Sequence, residues 1–223
     1  KVAVTFRYCK ETRQGKIRMA ETKNTSLLHM LFEYKELIPK VLKDKEVMKV
    51  LAVSVILYIT NMVSTNFFSL YVTQWLGIES RYLAFFPILN AAVMLIFMIG
   101  IQHKLELVKF RIPMWVGLAL YAIAVILLIL APIGNMLFVI IYVFIVAVAG
   151  ALVMPRKDTL IQLSINAEER ARINALIMSF TIAFSSPFGY FAGWLSSIDR
   201  RLPFAFAFAL FLAAFIIVGR IRD

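Results

Sequence analysis

Residues 135–154 read NMLFVIIYVFIVAVAGALVM, and this stretch decides the class of fold. It contains no charged residue, and its length matches the roughly 20 residues that an α-helix needs to cross a bilayer. Backbone groups inside a bilayer have no water to bond, so a spanning segment must be a helix or part of a closed barrel. The apolar residues run on without the alternation of a barrel strand. The stretch therefore predicts a transmembrane helix.

Five further apolar runs of similar length lie on both sides of this stretch. They cover residues 50–74, 82–102, 112–132, 173–196 and 202–219. The whole chain of 223 residues is 61% hydrophobic, against about 45–50% for a soluble domain. We therefore expect an all-α membrane protein with a bundle of six transmembrane helices, and we exclude an ordinary soluble globule.

Lysine and arginine concentrate in alternate gaps between the runs. They are frequent before residue 50, between 103 and 111, between 156 and 172, and after 219. The opposite gaps contain Arg81, Arg200 and Arg201. Because basic residues stay on the cytoplasmic side, both termini are expected in the cytoplasm. The protein itself is expected in the cell (cytoplasmic) membrane. The net charge of +11 thus indicates membrane topology, and no nucleic-acid partner is expected.

The segment before the first run differs from the rest of the chain. Residues 1–46 are expected to form a cytoplasmic segment, and residues 47–223 the transmembrane domain. Leu27, Leu31 and Ile38 recur at helical spacing, which predicts an amphipathic helix over about 25–46. That helix either lies in the membrane interface or packs on the bundle. Since the chain opens with Lys1 rather than Met, we expect a fragment of a longer protein.

Uncharged polar residues follow one face of the first run, which includes Tyr58, Asn61 and Thr65. Such a face predicts a water-filled cavity, while interhelical hydrogen bonds are the alternative interpretation. Charged residues are absent from the middle of every run, so an uncharged amphiphilic solute is favoured over a charged one. The cavity-lining candidates are Tyr58, Asn61, Thr65, Asn90, Asn174 and Ser185.

The fifth run combines small residues with a proline. Ser185, Gly189 and Gly193 recur every four residues, a pattern that favours close helix packing. Pro187 should kink the helix, either as a hinge or as a static bend. Enzyme signatures such as a Gly-Lys-Ser/Thr phosphate loop are absent from the sequence, so we expect neither an enzyme nor a cofactor. His29 and His103 have no neighbouring ligand cluster, so no metal site is expected.

Three segments near the end of the chain resemble one family. They are MPRKDTLIQLSINAEERAR at 154–172, SSPFGYFAGWL at 185–195 and SIDRRLPF at 197–204. The first resembles the cytoplasmic connection between helices ten and eleven of major facilitator superfamily transporters. The segment at 185–195 is similar to helix eleven of bacterial drug-efflux members, and the segment at 197–204 is similar to the turn into helix twelve.

The resemblance implies that the chain is helices seven to twelve, the C-terminal half of a secondary transporter. Two inverted three-helix repeats would then cover about 50–132 and 135–219. The implied function is movement, for example efflux, of a small organic solute across the plasma membrane by alternating access. The implied partners are the lipid bilayer, the small-molecule substrate and a missing N-terminal six-helix half or a second copy. The alternative is a six-helix membrane scaffold or interaction module without transport activity.

Overall fold

A computed structural model gives the fold, and it describes residues 45–101, 111–163 and 170–220, with the single positions Pro39, Lys43 and Val108. The chain divides into two units, Lys1–Val41 and Leu42–Asp223, and every element named below belongs to the second unit. The amphipathic helix expected over 25–46 lies almost wholly outside the described residues.

Six long helices form the described part of the second unit, in which no strand occurs. Each belongs to a helical segment long and apolar enough to cross a membrane, and for α2 that segment begins at Ser80, so the six predicted spans are confirmed. The helices are α1 (Lys45–Leu70), α2 (Phe85–Gly100), α3 (Arg111–Ile129), α4 (Met136–Leu163), α5 (Arg170–Ile198) and α6 (Leu202–Gly219).

Helix α4 runs further than the sequence predicted. The apolar run ends at residue 154, but α4 continues to Leu163 with Pro155 inside it. A proline inside a helix removes one hydrogen bond of the ladder, and its ring crowds the carbonyl one turn earlier. The Thr159 hydroxyl donates to the Pro155 carbonyl oxygen at 2.9 Å, one turn further along. As a result Lys157 lies on a helix and not in a loop.

One end of the bundle gathers basic side chains, and we call it the basic end (Lys49, Arg111, Lys157 and Arg220). Lys49 Nζ donates to the Arg220 carbonyl oxygen at 2.7 Å, and the Arg111 guanidinium donates to the Gly219 carbonyl oxygen. The last carbonyls of a helix have no partner within the helix, and cations there offset the negative end of its dipole. These two bonds attach the end of α6 to the starts of α1 and α3.

The opposite end, which we call the turn end (Leu76, Gly134 and Arg201), is fixed by turns. Helix α1 continues as a π-helical turn over Tyr71–Trp75, and the chain then reverses at Gly77, whose φ is +69°. Gly134 has a φ of +78°, and its N–H donates to the Leu76 carbonyl oxygen at 2.7 Å. Because L residues with a Cβ rarely adopt such φ values, glycine suits both turns.

The packing of the helices is nearly unchanged when α1–α3 are exchanged for α4–α6. Helix α1 packs on α5 as α4 packs on α2, and α1 packs on α6 as α4 packs on α3. Helices α3 and α6 pack on each other, and α1 also contacts α4. Helix α1 starts at the basic end, whereas α4 starts at the turn end, so the two halves run in opposite directions. This is the packing of two inverted three-helix repeats.

Among the helical glycines that the structure describes, the tightest approach is at Gly117, between α3 and α4. A Cβ added there would lie 2.5 Å from Val153 Cγ2 and 3.1 Å from Leu152 Cβ. At Gly189 and Gly193, where the sequence predicted close packing, the structure leaves more space than at Gly117. A Cβ at Gly189 would make ordinary contact with Met62 at 3.6 Å, and one at Gly193 would meet no described atom within 4 Å. Pro187 lies inside α5, as predicted.

A cation lies over an aromatic ring at the turn end. The guanidinium carbon of Arg201 is 4.5 Å from the centre of the Trp75 ring, and Asp199 Oδ1 accepts a hydrogen bond from the backbone N–H of Arg201 at 2.7 Å. The Tyr71 hydroxyl, one turn before Trp75, donates to the Leu128 carbonyl oxygen at 3.0 Å. These contacts connect the α5–α6 turn and α3 to the π-helical end of α1.

Replacing Arg201 by glutamine is expected to lower the free energy of unfolding by about 1–2 kcal/mol, because a partly buried cation–π contact contributes about that much. Thermal unfolding of the purified protein in detergent measures the change. Arg81→Gln is the matched control, since Arg81 lies over the Tyr82 ring at 5.0 Å with 67% of its side chain exposed. Equal loss in both variants would contradict a specific role for the Arg201–Trp75 contact.

Candidate functional site

Three neighbouring cavities follow α1, and Asn61 lines all of them. The largest, which we call the aromatic cavity, has a volume of about 350 Å³ and lies between α1, α2 and α4. The hydroxyl cavity, of about 180 Å³, lies between α1, α4 and α5 toward the basic end. A small linking cavity of about 40 Å³ shares Ser64 with the first and Leu57 with the second.

The aromatic cavity combines rings with uncharged polar groups. The centre of the Phe68 ring lies 5.6 Å from that of the Phe86 ring, in an edge-to-face arrangement. It lies 5.5 Å from the centre of the Tyr142 ring, in a stacked arrangement. Asn61, Thr65 and Asn90 line the same space, and its other lining residues are Ser64, Pro87, Val143 and Val146. Apolar walls with a few polar groups are typical of small-molecule sites, and about 300 Å³ is the lower limit of their usual volume.

The hydroxyl cavity combines an apolar wall with hydroxyl groups, an amide and a cation. Met154, Ile177 and Met178 form part of an apolar wall, while Ser54, Tyr58 and Thr181 supply hydroxyl groups. Lys157, at the basic end, is the charged residue among those that line it. The remaining lining residues are Leu57, Asn61 and Ile182. Because α4 extends past Pro155, this lysine lies one turn beyond Met154 on the same helix face.

The structure brings together the candidates on α1 and α2 but not those on α5. Tyr58, Asn61, Thr65 and Asn90 line the hydroxyl or the aromatic cavity, and Asn61 lines both. Asn174 is exposed and lines none of the three cavities. Ser185 is buried, and its hydroxyl donates to the Thr181 carbonyl oxygen one turn earlier on α5. A solute would therefore have to compete with this carbonyl for the Ser185 hydroxyl.

Several lining residues were not among the sequence candidates, most notably Lys157, Thr181 and Phe68. Phe68 lies three residues after Thr65 and seven after Asn61, so the polar face of α1 continues into an aromatic one. Thr181 is one turn before Ser185 on α5. Both positions could have been inferred from helical spacing, whereas Lys157 could not while α4 was expected to end at 154.

The chemistry available at these cavities is reversible binding by hydrogen bonds, ring contacts and charge. Within 45–101, 111–163 and 170–220, no group of three or more His, Cys, Asp or Glu residues could hold a metal ion. Both Asn61 and Asn90 offer an amide oxygen and two N–H groups, so each can accept and donate. The arrangement fits a solute with a polar part and an apolar part.

The family model described as Major Facilitator Superfamily matches residues 2–190 of the chain. The matched range contains every residue that lines the three cavities except Phe211 in the linking cavity. No curated protein and no solved structure matches the chain.

Proposed function

Because the chain belongs to the major facilitator superfamily, a family of secondary transporters, we propose that it is the C-terminal six-helix half of a transporter for a small organic solute. The solute would bind at the cavities that share Asn61 and cross the membrane by alternating access. That single shared residue, on the helix between a ring-lined and a hydroxyl-lined cavity, is the observation that supports the proposal most.

The openness of the cavities supports a second half as partner. Tyr58 is 44% exposed although it lines the hydroxyl cavity, and Asn61 and Thr65 are exposed as well. An exposed amide in a bilayer is costly unless it faces protein or water. An N-terminal six-helix half, or a second copy of this chain, would provide the opposite wall, and rocking of the two halves would open the cavity to either side in turn.

The location and direction of transport form part of the same proposal. The protein would lie in the plasma membrane. Basic residues stay on the cytoplasmic side, so the basic end would face the cytoplasm. The hydroxyl cavity would then open toward the cytoplasm. The resemblance of residues 185–195 to helix eleven of bacterial drug-efflux members favours export from this side.

Transport by the intact protein in liposomes tests the proposed function. An imposed ion gradient should drive accumulation of a member of a labelled panel of amphiphilic solutes without ATP, and an ionophore should abolish it. The sequence contains no ATP-binding loop, which is why a gradient is the expected energy source. Fluxes equal to those of protein-free liposomes for the whole panel would contradict transport and would favour the six-helix scaffold.

A further inference from the structure

Two buried hydroxyl groups in the hydroxyl cavity have no hydrogen-bond partner in the described structure. They are Ser54 Oγ on α1 and Thr181 Oγ1 on α5, in residues that are 6% and 7% exposed. Helical serine and threonine commonly donate to a carbonyl one turn earlier, as Ser185 does toward Thr181. A buried hydroxyl left without a partner is costly. Two that line one cavity indicate a bound group that accepts from both helices.

The third polar group in the hydroxyl cavity is a cation. Lys157 has 26% of its side chain exposed, and its Nζ pairs with Asp158 Oδ1 at 3.2 Å. Asp158 is 63% exposed and adjacent in sequence, so this pair contributes little to stability. An ammonium group has three N–H donors, so the pair leaves others for a ligand. Neither Asp nor Glu is among the residues that line the cavity.

From these groups we propose that the transported solute is an organic monoanion whose charged group binds between Lys157, Ser54 and Thr181. The inference rests on the proposed function and specifies its substrate class. The two hydroxyls and the ammonium are donors that line one cavity, a carboxylate or sulfonate has acceptor sites for all three, and bonds to a charged acceptor are the stronger kind. A cationic solute would be repelled by Lys157, and an amide would offer one acceptor oxygen instead of two.

The remaining cavities fit the apolar part of such a solute. Ser54 and Asn61 are seven residues apart on α1, about 10 Å along the helix, and Phe68 is the same distance further on. A solute with its charged group near Ser54 would therefore pass the Asn61 amide and place an apolar end toward Phe68 and Tyr142. The sequence favoured an uncharged solute because no charged residue lies in the middle of an apolar run, and Lys157 follows the fourth run, which ends at residue 154.

Equilibrium dialysis of the intact protein in nanodiscs tests the charge preference with three matched probes. These are 6-phenylhexanoate, 6-phenylhexanamide and 6-phenylhexylammonium, which share a ring and a chain and differ in the head group. We expect the carboxylate to bind at least about tenfold more tightly than the amide, because a hydrogen bond to a charged group is worth about 1.4 kcal/mol or more, a factor of ten. The ammonium probe should bind most weakly.

The variants identify which groups read the charge. Lys157→Gln should lower the affinity for the carboxylate probe about tenfold and leave the affinity for the amide probe unchanged. Lys157→Arg should keep the preference for the carboxylate. Ser54→Ala combined with Thr181→Val should lower the affinity for the carboxylate probe by a similar factor, although Lys157 is retained. Lys49→Gln is the control, since Lys49 lies at the same end of the bundle, pairs with Glu46 and does not line the cavity.

Equal binding of carboxylate and amide, a preference that survives Lys157→Gln, or no binding of any probe would each overturn the anion proposal. Flux in liposomes made from the same preparations reports on the proposed function separately. Transport without a charge preference would overturn only the proposal that the solute is an anion. A charge preference without transport would overturn only the proposed transport function.

Discussion

Transport by the Asn61→Leu variant is expected to fall at least about tenfold, because Asn61 lines all three cavities. Leucine branches at Cγ as asparagine does, although it is larger, and it neither donates nor accepts a hydrogen bond. Loss of one bond to the solute costs about 1–1.5 kcal/mol, and any polar group of the solute left unpaired adds to that cost. Initial rates of flux in liposomes at equal protein content measure the effect.

Asn66→Leu provides the matched control for that substitution. Asn66 is exposed on the same helix, five residues further on, and lines none of the three cavities. Its replacement should leave the flux close to that of the parent protein. If both variants transport equally well, or if both lose transport equally, Asn61 is not a specific part of a solute site.

The Gly117→Leu variant is expected to lose about 3 kcal/mol or more of folding free energy, because overpacking a dense interface costs about 1–3 kcal/mol and sometimes more. Even a Cβ at this position would approach Val153 Cγ2 to 2.5 Å and the Ala149 carbonyl oxygen to 3.2 Å. The remaining atoms of leucine would force α3 away from α4. Unfolding by heat or by denaturing detergent, followed by size-exclusion chromatography, measures the loss.

Gly193→Leu separates this local crowding from a general effect of replacing a helical glycine. Gly193 lies inside α5, and an added Cβ would meet no described atom within 4 Å. A gain in helix propensity should then offset any cost, so the midpoint of unfolding should stay near that of the parent. A large loss at position 193 instead would restore the packing ridge that the sequence predicted along α5.

The transmembrane helices were predictable because their signal is local. Run length and the absence of charge suffice to predict a span, so the six spans were found within a few residues of their positions in the structure. The end of α4 was missed for a physical reason as well. Proline disfavours the interior of a helix and the apolar run stops at 154, yet α4 keeps Pro155 inside it.

The cavities were only partly predictable, since they depend on contacts between helices. The spacing of Tyr58, Asn61 and Thr65 placed these residues on one face of α1, and the structure shows cavities on that face. The same argument suggested Ser185, whose hydroxyl instead bonds its own helix. The close approach at Gly117 was not foreseen, because a glycine matters for packing only where a neighbouring helix comes near.

The position of α6 in the packing has a consequence for the biosynthesis of the protein. Helix α6 covers α1 and α3, and its Phe204 ring packs 5.0 Å from the Tyr71 ring near the end of α1. At the usual ribosomal speed of about 5–20 residues per second, the ribosome reaches α6 on the order of ten seconds after it completes α1. During that interval the matching face of α1 is inserted in the bilayer without its final neighbour. The membrane-insertion machinery or passing lipid must cover it until the last helix arrives.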